Sequence, residues 1–176
     1  MQIPLVLTLV SPDRTGLVES LARVVADHDG NWLESRMCRL GGEFAGILRM
    51  EIPAAKKSAF LEALQPLQQG GLQMVVRVDQ SAGGAATGRQ TQLEIVGSDR
   101  PGIVRDITSA LARAGVNVEE FSSEIASAPM SGETLFRAFA RLQLPAHCDL
   151  AALKTDLEKI AADLLVDVSF AELPGK

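Results

Sequence analysis

The sequence predicts an α+β fold made of two tandem units, each in the order strand, helix, strand, strand, helix, strand. Three observations predict it. The stretch VSPDRTGLV, Val10 to Val18, returns as VGSDRPGIV, Val96 to Val104. Apolar residues switch between the two-residue period of strands and the 3.6-residue period of helices in the same succession in both halves. Between the halves lies QSAGGAATGRQ, Gln80 to Gln90, rich in Gly, Ala and Ser without periodicity, which reads as a flexible linker. The expected domains are therefore 1–79 and 91–173, with 80–90 joining them.

The first strand is expected over Ile3 to Val10, where β-branched and Leu residues supply a buried run, and Pro12 ends it. From Thr15 to about Asp27, the residues Leu17, Val18, Leu21, Val24 and Val25 share one helical face. DHDGN, Asp27 to Asn31, turns the chain back into a strand over Trp32 to Leu40. The Gly41-Gly42 pair makes a hairpin, and Phe44, Gly46, Leu48, Met50 and Ile52 then alternate with Glu43, Ala45, Ile47, Arg49 and Glu51 up to Pro53. A helix follows from Ala55 to Gln69, its last turn made irregular by Pro66, and Leu72 to Val78 is the fourth strand. This order is the split βαβ, or ferredoxin-like, arrangement.

The second half repeats it. Thr91 to Val96 is a strand, and Ile103, Val104, Ile107 and Leu111 define a helical face. Asn117 to Ala126 and Leu135 to Leu144 are strands, Leu150 to Leu164 is a helix with Asp149 at its N-cap, and Val166 to Phe170 closes the set. Asp13 to Asp99 and Asn31 to Asn117 share an offset of 86, whereas Pro53 to Pro145 and Leu61 to Leu153 share 92. The difference of 6 is an insertion in the second hairpin, SAPMSGE from Ser127 to Glu133.

Composition narrows the function. Hydrophobic residues at 47% and charged residues at 22% suit a globular protein with real cores, and a net charge of −5 disfavours direct binding to nucleic acid. MQIPLVLTLV lacks the basic start and cleavage site of a signal peptide and is too short to span a membrane, so it reads as the first strand of a cytoplasmic protein. Cys38, Cys148, His28 and His147 form no metal-ligand spacing, and Cys38 is expected to be a buried thiol. Neither a metal nor a cofactor is expected. No nucleophile with a His base is evident, and Glu119 and Glu120, neighbours in a strand, should point to opposite faces, so catalysis is not expected.

The repeated Asp-Arg-x-Gly turn is the candidate site. A helix N-terminus leaves N–H groups without partners and carries partial positive charge, which stabilises a carboxylate or phosphate. Gly16 and Gly102 admit a ligand close to that backbone, and Asp13 and Asp99 offer a carboxylate to an amino group, so a small zwitterion such as an amino acid fits. The competing reading is that each Asp caps its helix. Asn31 and Asn117 either contact the same ligand or form left-handed turns. Glu34 and Glu120, with Arg49 and Arg141, read as solvated strand positions or surface ion pairs.

Two such units with Asp-Arg-Pro-Gly-Ile-Val at Asp99 to Val104, or its Thr15 variant, resemble tandem ACT domains over nearly the whole chain outside the linker. GNWLESRMCRLGGEFAGIL, Gly30 to Leu48, and SAPMSGETLF, Ser127 to Phe136, are similar to the family of glycine cleavage system transcriptional repressors, free-standing two-ACT proteins. The resemblance implies a regulatory protein that senses a small amino acid, with glycine expected, and acts through a partner activator without touching DNA or membrane. It also implies ligand contacts at Asp13, Arg14, Gly16 and Asn31 and at Asp99, Arg100, Gly102 and Asn117, where the turn of one unit meets another unit, and it is compatible with a homodimer. Thr15 stands where the family commonly has Pro, so Asp99 to Gly102 is the preferred site. The alternatives are a regulatory subunit of a metabolic enzyme and a ligand-independent interaction module.

Overall fold

The computed structural model describes residues 1–80, 88–127 and 134–172, and the chain divides into two compact units, the first holding strands 1 to 4 and the second strands 5 to 8. Most of the linker and all but Ser127 of the predicted hairpin insertion lie outside the described residues.

Unit 1 runs β1 (Gln2–Pro12), α1 (Leu17–Asp27), β2 (Asn31–Leu40), β3 (Glu43–Pro53), a 3-10 turn (Ala54–Lys56), α2 (Lys57–Ala63), α3 (Gln65–Gln69) and β4 (Gln73–Val78). Its sheet is antiparallel in the order β2-β3-β1-β4. Unit 2 runs β5 (Arg89–Ser98), α4 (Ile103–Arg113), β6 (Asn117–Ser127), β7 (Thr134–Leu144), α5 (Leu150–Leu164) and β8 (Val166–Glu172), with sheet order β6-β7-β5-β8. These are two ferredoxin-like βαββαβ units, as the alternation of periods predicts.

Each sheet buries one face under its helices. In unit 1 Leu5, Leu7 and Leu9 of β1 and Leu48, Met50 and Ile52 of β3 meet Leu17, Leu21 and Val25 of α1 and Phe60 of α2. In unit 2 Leu93, Ile95, Ala138, Ala140 and Leu142 meet Ile103, Ile107 and Leu111 of α4 and Leu153 and Leu157 of α5. Fully burying a side chain of this kind contributes roughly 1.5–3 kcal/mol, so these alternate positions hold the strands in register.

Three local features differ from the sequence expectation. The single helix expected from Ala55 to Gln69 is broken at Leu64, because Pro66 in the first turn of α3 has no N–H to continue the α2 ladder. Its counterpart α5 has no such residue and runs unbroken for 15 residues, capped by Asp149, whose Oδ1 accepts from the N–H of Ala151 at 2.9 Å and of Ala152 at 3.1 Å. Next, β5 begins at Arg89, so Arg89 and Gln90, placed in the linker by composition, pair with Leu144 and Gln143 of β7.

The third is a bulge at the matching place in each unit, between Trp32 and Glu34 and between Val118 and Glu120. The extra residue breaks strand alternation. Glu119 accepts from Gln90 Nε2 at 3.0 Å while Glu120 pairs with Arg141, so both carboxylates reach residues of the open face instead of pointing apart. Cys38 is also exposed, because β2 is an edge strand and Cys38 shares the face away from the helices with Ala45, opposite it on β3.

Candidate ligand site at the strand-to-helix turns

Both turns are built by a glycine in the left-handed region. Gly16 has φ 90° and Gly102 φ 103°, each is the N-cap residue of its helix, and neither helix has a side-chain cap. The capping role open to Asp13 and Asp99 is therefore not the one they take. The helices start on backbone bonds, from the Ser20 N–H to the Gly16 carbonyl and from the Asp106 N–H to the Gly102 carbonyl, each 2.9 Å. First-turn N–H groups ahead of these bonds have no intrahelical partner.

Instead of capping, each aspartate ties its turn to the adjacent hairpin. The Asp13 N–H donates to the Gly42 carbonyl at 2.9 Å, and the Asp99 N–H to the Thr134 carbonyl at 3.1 Å. In unit 1 the carboxylate is also engaged, since Arg39 Nε on β2 donates to Asp13 Oδ2 at 2.6 Å. Arg39 was not legible as a site residue because nothing in the sequence links it to the turn.

Beside the first turn lies a cavity of about 230 Å³ lined by Arg14, Thr15, Gly16, Leu17, Ser20, Leu67 and Leu72. Its charged wall is Arg14, whose guanidinium crosses to α3 closely enough that a Cβ on Gly70 would lie 3.3 Å from Nη2. Its apolar wall exists because α3 is a separate short helix that brings Leu67 to the end of α1. Ser20, Leu67 and Leu72 were missed by sequence reasoning. Ser20 was within reach of it, four residues from Gly16 on the same helical face, whereas the two leucines read only as core.

The second turn is more crowded. A Cβ on Gly102 would lie 3.3 Å from Arg105 Nη2 and 3.5 Å from Asp106 Oδ2, while one on Gly16 meets nothing within 4 Å. Arg105 Nε bonds Asp106 Oδ1 at 2.7 Å, and this bond and charge hold the exposed Asp106 carboxyl below its usual pKa and raise that of Arg105. Arg100 is exposed.

The structure does not bring the asparagines to the turn of their own unit. Asn31 opposes Glu51, which opposes Pro4, and the turn begins after Pro12. Those eight steps along β1 span roughly 27 Å at ~3.4 Å per residue. Asn117, opposite Gln143 and so level with Gln90, is equally far from Asp99. Nor do they form the left-handed turns. That conformation belongs to Asp29 at φ 53° and Gly115 at φ 70°, which share the offset of 86.

Of the strand pairs, Glu120 faces Arg141 and forms an ion pair. Glu34 also faces Arg49, but Arg49 Nε instead bonds Asp79 Oδ2 at 2.7 Å and Glu34 bonds Arg36 at 3.1 Å. Among the described residues no group of three or more His, Cys, Asp or Glu side chains is placed to hold a metal, and no helix is long and apolar enough to cross a membrane.

ACT domain models match residues 4–77 and 91–143, one in each unit. The chain belongs to the ACT domain family. Its two ACT units also have full-length structural relatives. A protein of unknown function from Galdieria sulphuraria is 28% identical, with a TM-score of 0.87 over 99% of this chain and 100% of that one. A provisionally named glycine cleavage system transcriptional repressor is 18% identical, with a TM-score of 0.65 over 98% of this chain and 99% of that one. The second likeness is one of fold. No curated protein matches the chain.

Proposed function

We propose that this tandem ACT protein is a non-catalytic regulator that binds a small amino acid, glycine being the expected one, at its strand-to-helix turns. In this reading it works in the cytoplasm and controls glycine cleavage genes through a partner activator. The observation that carries the ligand site is the cavity of about 230 Å³ at the first turn, where Arg14 and the α1 N-terminus face the apolar pair Leu67 and Leu72. A carboxylate is stabilised by both the guanidinium and the unpartnered N–H groups. The volume lies below the ~300–1,000 Å³ of drug-sized pockets, which favours a ligand of amino-acid size.

The open space over Gly16 supports placing the primary site at Asp13, Arg14 and Gly16, ahead of Asp99, Arg100 and Gly102. Asn31 and Asn117 join a ligand only by facing the turn of a different unit. The regulatory role draws support from the family and from the shared fold of the provisionally named repressor.

Titration calorimetry of the full chain with glycine and the other common amino acids tests the reading. Millimolar or tighter binding that Arg14→Gln weakens about tenfold or more, while Arg100→Gln leaves it nearly unchanged, is the expected result; a hydrogen bond to a charged group contributes about 1.5–3 kcal/mol. Absence of heat from every amino acid with folded protein removes the sensing role. Co-purification with a transcription activator, as against a metabolic enzyme, tests the partner.

A further inference from the structure

The face of the unit 1 sheet that points away from the helices has an apolar centre. Ile47 and Val75 are each 53% exposed there, flanking Thr8, and Val10 beside them is exposed as well. One row across the sheet, from β2 through β3 and β1 to β4, reads Glu34, Arg49, Val6, Arg77. An acidic residue thus stands at one edge and a basic residue at the other.

We propose that this face packs on the same face of a second copy of the chain, about a twofold axis parallel to the strands and midway between β1 and β3. Such a rotation keeps rows and reverses columns, so β3 lies over the partner's β1 and β2 over the partner's β4. Glu34 then meets Arg77 of the partner subunit, and the contact occurs twice by symmetry. Ile47 meets Thr8 of the partner subunit, Ala45 meets Val10 of the partner subunit, and Arg49 meets Val6 of the partner subunit, so no like charges are opposed. The roughly 30° rotation between packed sheets moves the corner residues by only a few ångströms, within reach of Glu and Arg side chains. Glu34 is free to exchange, since its pair with Arg36 is exposed and contributes little.

The sheet of unit 2 does not suit the same operation. There Phe139 lies beside Glu94 and would land on it, and Glu124 and Asp167 occupy opposite edges of one row and would oppose each other. The self-complementary pattern is a property of unit 1. Four strands ~4.8 Å apart and about six residues at ~3.4 Å give roughly 400 Å² per face, below the ~800 Å² per partner of a standard interface. The dimer is accordingly one that exchanges with monomer at micromolar concentrations.

Sedimentation of the full 18.7 kDa chain across the micromolar range reads this directly. The average mass should rise from one chain towards two. Glu34→Arg and Arg77→Glu should each raise the dissociation constant about tenfold or more by opposing like charges, and the double variant, which restores both pairs with signs reversed, should return close to the original value. Ile47→Asp should abolish the dimer, Phe139→Asp should leave it unchanged, and circular dichroism checks that each variant is folded. A single-chain mass at every concentration overturns the proposal. So does a dimer indifferent to the charge reversals, a double variant no tighter than the single ones, or an equal loss from Phe139→Asp. Amino-acid binding at the Arg14 cavity is read by calorimetry and is independent of these outcomes.

Discussion

Replacing Gly16 by alanine isolates the energetic role of the left-handed turn. Gly16 sits at φ 90° and ψ 3°, and a Cβ there meets nothing within 4 Å. No clash contributes, so the loss comes from the backbone alone, which for an L-residue in this region is roughly 1–2 kcal/mol. For a unit of this size each 1 kcal/mol lowers Tm by about 4–8 °C. Differential scanning calorimetry should therefore show unit 1 of Gly16→Ala unfolding at least about 4 °C lower. Gly16→Asn should lose less, because asparagine visits the left-handed region more readily. Gly102→Ala should show an equal or slightly larger loss in unit 2, since the neighbour of its Cβ is the flexible end of Arg105 at 3.3 Å. An unchanged Tm for Gly16→Ala, or a larger loss for asparagine than for alanine, would refute the argument by showing that crowding or a relaxed turn governs the site.

Asp149→Ala removes the side-chain cap of α5 and should cost about 0.5–2 kcal/mol, read from denaturant unfolding, with Asp149→Ser recovering most of it. Asp106 should titrate below the ordinary carboxylate range by carbon-13 NMR, and Arg105→Gln should return it to that range. Because the folded pKa is depressed, the stabilisation from this pair is present above the unfolded pKa near 3.8 and is lost as pH falls through the folded value.

Much of this fold is legible because burial writes a period into the chain. Leu48, Met50 and Ile52 on β3 and Leu17, Leu21 and Val25 on α1 are buried where alternation and helical spacing place them. Strand β1, expected as a buried run, instead alternates, with Thr8 and Val10 exposed beside the buried Leu5, Leu7 and Leu9. Gly41 and Gly42, both at positive φ, turn the hairpin their dipeptide predicts. Features that insert or remove one backbone contact leave no such trace. An extra residue at Leu33 or Glu119 looks like any other strand residue, yet it decides which side chains share a face. Pro66 announces an irregular turn, but only the folded chain shows that the break starts at Leu64 and carries Leu67 to the α1 terminus.

The candidate site was half legible for the same reason. Gly16 and Gly102 are local, and their role follows from backbone geometry that a sequence motif encodes. Asn31 and Asn117 share the repeat with the turn, but repetition fixes correspondence and carries no distance. An eleven-residue helix returns the chain to the far end of the sheet before either asparagine appears. Cys38 shows the opposite error, in which a general preference of thiols for burial is overridden by a position on an edge strand.

The bond from each turn aspartate to its hairpin has a consequence for how these units tolerate change. Asp13 reaches Gly42 and Asp99 reaches Thr134, which are equivalent positions although six more residues separate the second pair. The clamp sits at the base of the second strand of the hairpin, so the tip beyond it can lengthen while the turn keeps its place. Closing a longer loop is inexpensive, with each doubling costing only ~0.6 kcal/mol. Hairpin length is thereby uncoupled from the geometry at the helix terminus.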